Sequence, residues 1–169
     1  MEIPGFFQVI AEIGIAIAGF SGLIVSLRRE TGPLRGVQKF RLQLLLLLSF
    51  GAMFLSLLPE VLVTLGVGAE RLWFFSNWVV LGYSVFFISW WITASIRVNR
   101  IEPELFNWFA FARMSAGHLV VIFLLLFALG SLFGISGIAA FSIALVWYLI
   151  HAAQQFIRML FIRSRSDLG

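Results

Sequence analysis

Residues 42–65 read LQLLLLLSFGAMFLSLLPEVLVTL, with Glu60 as the only charged side chain in the run. About 20 mostly apolar helical residues cross a hydrocarbon core about 30 Å thick, so this segment reads as a membrane span. Working outward, charged segments separate it from four more apolar runs: Ile3 to Leu27, Leu72 to Ile96, Met114 to Phe133 and Ile138 to about Phe161. Each run is long enough to cross. The expected fold is an all-α integral membrane protein of five transmembrane helices, forming one helical domain over residues 1–169. The first run lacks basic residues at its start and exceeds the apolar region of a signal peptide, so it is expected to be a retained helix.

Composition agrees. The 169 residues are 61% apolar and 12% charged, against about 45–50% and about 25% in an average soluble domain. That excludes an ordinary soluble enzyme. Cysteine is absent, which removes disulfides, thiolate metal sites and cysteine nucleophiles.

The net charge of +4 resembles a nucleic-acid signal until its placement is read. Arg28, Arg29, Arg35, Lys39 and Arg41 follow the first span, Arg97, Arg100 and Arg113 follow the third, and Arg158, Arg163 and Arg165 end the fifth. Only Arg71 falls on the opposite side. The positive-inside rule then puts the N-terminus outside and the C-terminus in the cytoplasm, and the charge becomes a record of topology. Gly32-Pro33 breaks the first inner loop, and Pro103 is expected to start a helix leading into the fourth span. Trp73, Trp78 and Trp108 suit lipid contacts or interfaces.

Polar residues inside the spans fall on stripes. Gln8, Glu12, Ile15, Gly19, Gly22 and Ser26 share one face of the first span, bordered by Ala11 and Ala18. Phe6, Ile10, Ile13, Ile17, Phe20 and Ile24 lie opposite, which reads as a lipid face. Gly19, Gly22 and Ala18 permit a close helix approach, and Gln8 and Glu12 can hydrogen-bond across it. In the second span Ser49, Ala52, Ser56 and Glu60 align, which lets Glu60 face Glu12 from a similar depth. Asn77 and Ser84 share a face of the third. His118 lies in the inner half of the fourth, and Ala140, Ala144, His151, Gln154 or Gln155, and Arg158 run along the fifth. The expectation is an outer carboxylate layer and an inner layer of His118, His151, Gln155 and Arg158.

A charged side chain at the centre of the bilayer costs about 2.5–3.5 kcal/mol on insertion scales, so intramembrane carboxylates face the bundle, pair or take up a proton. Glu12 and Glu60 are therefore the candidate ion or proton sites, with Gln8, Asn77, His118, His151, Gln155 and Arg158 as polar lining. Hydrogen-bonded helix packing is the competing role for the same residues. No cofactor is expected, although His118 and His151 could serve as an alternative haem pair. No phosphate loop, histidine pair on one helical turn or serine-nucleophile pattern is present. No enzyme activity is expected.

The segment Glu12-Ile13-Gly14-Ile15-Ala16-Ile17-Ala18-Gly19-Phe20-Ser21-Gly22 resembles the opening helix of small bacterial polytopic membrane proteins of uncharacterised function, in which a Glu precedes an AGFSG-type segment. The resemblance covers one helix and implies a multi-pass protein of the bacterial inner membrane. It implies no activity.

Three functions fit these residues. The first is a homo-oligomeric pore or ion and proton pathway. The second is a non-catalytic subunit or scaffold that packs against partner helices. The third is a membrane-disrupting effector of defence or toxicity. The expected partners are the lipid bilayer and either further copies or partner membrane helices, with no nucleic acid.

Overall fold

The computed structural model describes residues 5–28, 36–101, 103, 107–131 and 134–161. Among them are five helices: α1 (Phe6–Arg28), α2 (Gly36–Thr64), α3 (Ala69–Ile101), α4 (Trp108–Leu129) and α5 (Gly137–Phe161). Each is long and apolar enough to span a membrane, and no strand occurs among the described residues. The protein is thus multi-pass by the length and composition of its helices.

Helix α5 packs against all four others, and 44% of its apolar window is buried, against 22% for α4. Small residues make this possible. Ala140, Ala144 and Ala152 are fully covered and let neighbouring helices close on α5. Helices α1, α3 and α5 start at the same end of the bundle, where the rings of Phe7, Trp73 and Phe141 meet at centroid distances of 5.4–5.9 Å. Trp73 is therefore part of the packing between helices and only half exposed, unlike the exposed Trp78 and Trp108.

At the opposite end, the starts of α2 and α4 meet the ends of α3 and α5 around one cavity. Lys39, Arg41, Arg97, Arg100, Arg113 and Arg158 all belong to this basic end, and Arg71 to the aromatic end.

The helices differ from the hydropathy runs at their ends. Helix α4 starts at Trp108, because Asn107 caps it: the Asn107 Oδ1 accepts a hydrogen bond from the Ala110 N–H at 3.0 Å. Pro103 lies outside it, and the helix stops at Leu129, before Gly130. Helices α2 and α3 extend past their apolar runs into Gly36–Arg41 and Arg97–Ile101. Hydropathy marks where hydrocarbon ends, whereas a helix continues until its backbone is capped or broken. Arg29, Gly32, Pro33, Arg35, Phe133, Arg163 and Arg165 lie outside the described residues.

Helix α1 is turned differently from the sequence expectation. Phe7, Ile10, Ala11, Gly14, Ala18 and Ser21 are buried, while Gln8, Glu12, Ile15, Gly19, Gly22 and Ser26 are exposed. At about 100° per residue the polar stripe lies roughly a quarter turn from the buried face. Ile10 thus leaves the supposed lipid face for the core. Gly14 makes the close approach: a Cβ there would stand 2.8 Å from the Ser49 carbonyl and 3.3 Å from the Met53 Cβ, whereas one at Gly19 or Gly22 would meet nothing within 4 Å. Lipid tails are as apolar as Phe or Ile, so polarity alone does not choose which face turns inward.

Gly14→Leu is expected to lower the thermal unfolding midpoint in detergent, in line with an overpacking cost of about 1–3 kcal/mol. Gly19→Leu should leave the midpoint of the isolated chain unchanged.

Candidate functional site

Three helices bring polar side chains to one level of the interior. Helix α3 buries Asn77, Val80, Ser84, Phe87, Trp91 and Ser95, a series with steps of three and four that turns one stripe toward α5, with Ser76 buried beside it. Helix α4 contributes Met114 and His118, and α5 contributes Tyr148, His151 and Gln155. His118 and His151 are 1% and 0% exposed, with ring centroids 5.1 Å apart. Phe87 stacks on His118 at 4.8 Å, and Trp91 lies against His151 at 4.6 Å. His118 and His151 thus lie together, enclosed by aromatic rings.

The His118 Nδ1 lies 3.0 Å from the Met114 carbonyl and 3.1 Å from the Trp147 indole nitrogen. One ring nitrogen cannot serve both in the same state. As an acceptor from the Trp147 N–H it leaves the proton of the neutral ring on Nε2; as a donor to the carbonyl it releases the indole. The His118 Nε2 and both ring nitrogens of His151 have no hydrogen-bond partner among the described residues. These are unspent polar groups in a buried setting, where an unmade hydrogen bond costs about 1–3 kcal/mol. The two imidazole rings meet edge to face at 68°. Among the described residues no three His, Cys, Asp or Glu gather as metal ligands.

Trp147 reaches His118 because Gly117 has no side chain. A Cβ at Gly117 would collide with the six-membered ring of the indole. Next to it, the Ser84 Oγ and the Tyr148 hydroxyl share a hydrogen bond of 2.5 Å between α3 and α5, and the Tyr83 hydroxyl donates to the Leu47 carbonyl of α2 at 2.6 Å.

Asn77 works further along the same seam. Its Nδ2 donates to the carbonyls of Trp73 at 2.8 Å and Gly137 at 3.0 Å, which makes it a link between α3 and α5. Between Asn77 and the Ser84–Tyr148 pair the seam is closed by Val80, Leu81, Phe141, Ala144 and Leu145, all buried. Asn77 and the histidines are therefore separated by apolar packing and do not line one continuous interior route.

The two carboxylates are not brought together. Glu12 and Glu60 are both exposed on the outside of the bundle, as is Gln8. Gly14 packs beside Ser49 and Met53, so the antiparallel register sets Glu12 level with about residue 53 and Glu60 level with about residue 5. The two acids differ in depth by about seven residues, or roughly 10 Å at 1.5 Å per residue. Ser49, Ala52 and Ser56 are buried as their stripe suggested, but Pro59 continues the buried face and Glu60 lies one step past its edge. The carboxylate layer does not form within one chain.

Gln155 is 2% exposed and lines the basic-end cavity with Arg158, while Gln154 accepts a hydrogen bond from Arg113 at 3.2 Å. Sequence reading passed over Phe87, Trp91, Trp147 and Tyr148. A signal was present: Asn77, Ser84 and Trp91 recur every seven residues on the face already assigned to Asn77 and Ser84.

Gly117→Ala is expected to destabilise the chain by an amount within the overpacking range of about 1–3 kcal/mol, and to do so far less when Trp147 is first replaced by Leu. Unfolding of the four chains of this cycle in detergent measures the coupling. No protein-family model, no curated protein and no solved structure matches the chain.

Proposed function

We propose that the protein is a homo-oligomeric membrane protein whose copies join along the outward face of α1, and that Glu12 is the proton- or cation-binding group of the seam. The observation that carries this reading is the position of Glu12. It is an ionisable side chain within a spanning helix, exposed on the surface of its own bundle. Left against lipid, such a carboxylate is costly unless it is covered or protonated.

The surroundings of Glu12 suit a second helix. Gln8, Gly19, Gly22 and Ser26 are exposed on the same stripe. Open space stands over both glycines, so a neighbour can approach the backbone closely. Several such stripes around an axis form a path lined by Gln8, Glu12 and Ser26. Glu60, beyond the edge of the buried face of α2, is a companion acid nearer the aromatic end. Any path lined by Glu12 runs between copies, whereas His118 and His151 belong to the interior of each copy.

In this reading the basic end faces the cytoplasm, the N-terminus lies outside and the protein is a multi-pass component of a bacterial inner membrane, following the charge bias. A non-catalytic scaffold that packs against partner helices is the second reading. It is favoured by the open glycine surface and needs no conduction.

Because the sequence contains no cysteine, an introduced one reports alone. Gly22→Cys is expected to give disulfide-linked dimers in membranes, while Phe86→Cys, on the exposed side of α3, gives none. Gly68→Cys should react with an impermeant maleimide from the outside. In liposomes, Glu12→Gln should lower proton or cation flux about tenfold or more. Cross-linking without flux at any voltage or pH would select the scaffold; no cross-linking at Gly22 would remove the homo-oligomer.

A further inference from the structure

The cavity at the basic end has a donor set that the α1 seam does not use. It has a volume of about 50 Å³ and opens between the first turns of α2 and α4 and the last turns of α3 and α5. Arg41 and Arg158 line it from α2 and α5, close enough to repel one another, and Arg113 adds to the field at Arg158. No acidic side chain lines the cavity among the described residues. Like charges gathered without a counter-charge favour an anion between them.

Neutral groups point to the same ligand. Trp91 and Ser95 line the cavity at 4% and 1% exposure, and the Trp91 Nε1 and the Ser95 Oγ have no hydrogen-bond partner. An indole N–H is a donor only, so its unmet need is for an acceptor. Two arginines, a tryptophan and a serine line one recess, with the buried Gln155 beside them. Guanidinium groups present paired N–H donors that match the oxygens of phosphate. Phe40, Leu44 and Phe111 form the apolar part of the wall. A basic recess between spanning helices, with apolar walls, is the form in which lipid phosphate groups are held.

We propose that this cavity is a binding site for a phosphate group, with Arg41 and Arg158 as its charged clamp and Trp91 and Ser95 as neutral donors. The phosphate belongs to an anionic lipid headgroup or to a free phosphate ion, and the site stands whether or not copies join through α1.

The test uses the purified full chain in nanodiscs. One arm compares phosphatidylglycerol with phosphatidylcholine by native mass spectrometry. The other titrates inorganic phosphate in phosphatidylcholine discs and reads Trp fluorescence. Phosphatidylglycerol retention should fall about thirtyfold in Arg41→Gln/Arg158→Gln and about fivefold in either single variant, on the basis of the worth of one basic residue near a membrane. Arg97→Gln is the control: it lies at the same end, exposed and outside the cavity lining, and should change retention less than about twofold.

Phosphate titration lost in the same variants, with no preference between the lipids, would assign the site to the free ion. If the double variant does not fold, the single variants and Ser95→Ala carry the test. Equal retention of both lipids and no phosphate response in the wild type, or loss in Arg97→Gln equal to that in the clamp variants, would overturn the proposal.

Discussion

Hydrocarbon supplies neither a hydrogen-bond partner nor a hydrophobic drive between helices, and that constraint governs how this bundle holds together. Apolar side chains gain little by leaving lipid for one another, so cohesion rests on close packing and on directional bonds between helices. The centre of the arrangement is α5. Ala140, Ala144 and Ala152 admit its neighbours, the Ser84–Tyr148 bond fixes it to α3, and Asn77 secures its first residue, Gly137, from the same helix. Helix α2 is tied to α3 by the bond from Tyr83 to the Leu47 carbonyl, and α1 rests on α2 through Gly14. Interhelical polar bonds of this kind average about 0.6 kcal/mol each, so fixing the register depends on their joint placement and on tight packing.

Most of the fold was legible in the sequence because span length is set by bilayer thickness, a quantity outside the protein. The five runs and their alternation follow from that alone. Helix ends were less legible, since Asn107 acts through one side-chain oxygen that no hydropathy window weighs. The facing of α1 was not legible. Its polar stripe and its buried stripe both contain small residues, and the choice between them falls to Gly14, which meets Ser49 and Met53 across a distance in sequence that periodicity within one helix cannot sense.

The site divides in the same way. His118, His151, Gln155 and Arg158 could be placed together because each lies in the half of its span nearer the basic end, and depth can be counted along a helix. Their aromatic enclosure was not legible by depth: Phe87 and Trp91 have the composition of lipid-facing residues, and only the stride shared with Asn77 and Ser84 separates them from Phe86 and Ile92, which are exposed. Glu12 and Glu60 failed to meet for a geometric reason. Depth counted from each helix end assumes level ends, whereas the register at Gly14 offsets the two helices.

The resulting separation of charge has its own logic. Glu12 is on the outside of the bundle in the half of α1 nearer the aromatic end, while Arg41 and Arg158 line a recess at the basic end with no acidic side chain among its described lining residues. A soluble protein would leave both to water. Here the acid stands on the outward face of a spanning helix and the arginine recess at the basic end of the bundle, so the two sets look to different surroundings for compensation. As proposed, the carboxylate meets a donor on another spanning helix and the guanidiniums meet phosphate oxygens. The interior histidines belong to neither system: Val80, Leu81, Phe141, Ala144 and Leu145 close the seam on one side of them, and Trp91 and Gln155 stand between them and the recess on the other. Only the His118 Nδ1 is engaged, at the contact between α4 and α5, where its choice between Trp147 and the Met114 carbonyl ties the tautomer of a ring to the packing of a helix.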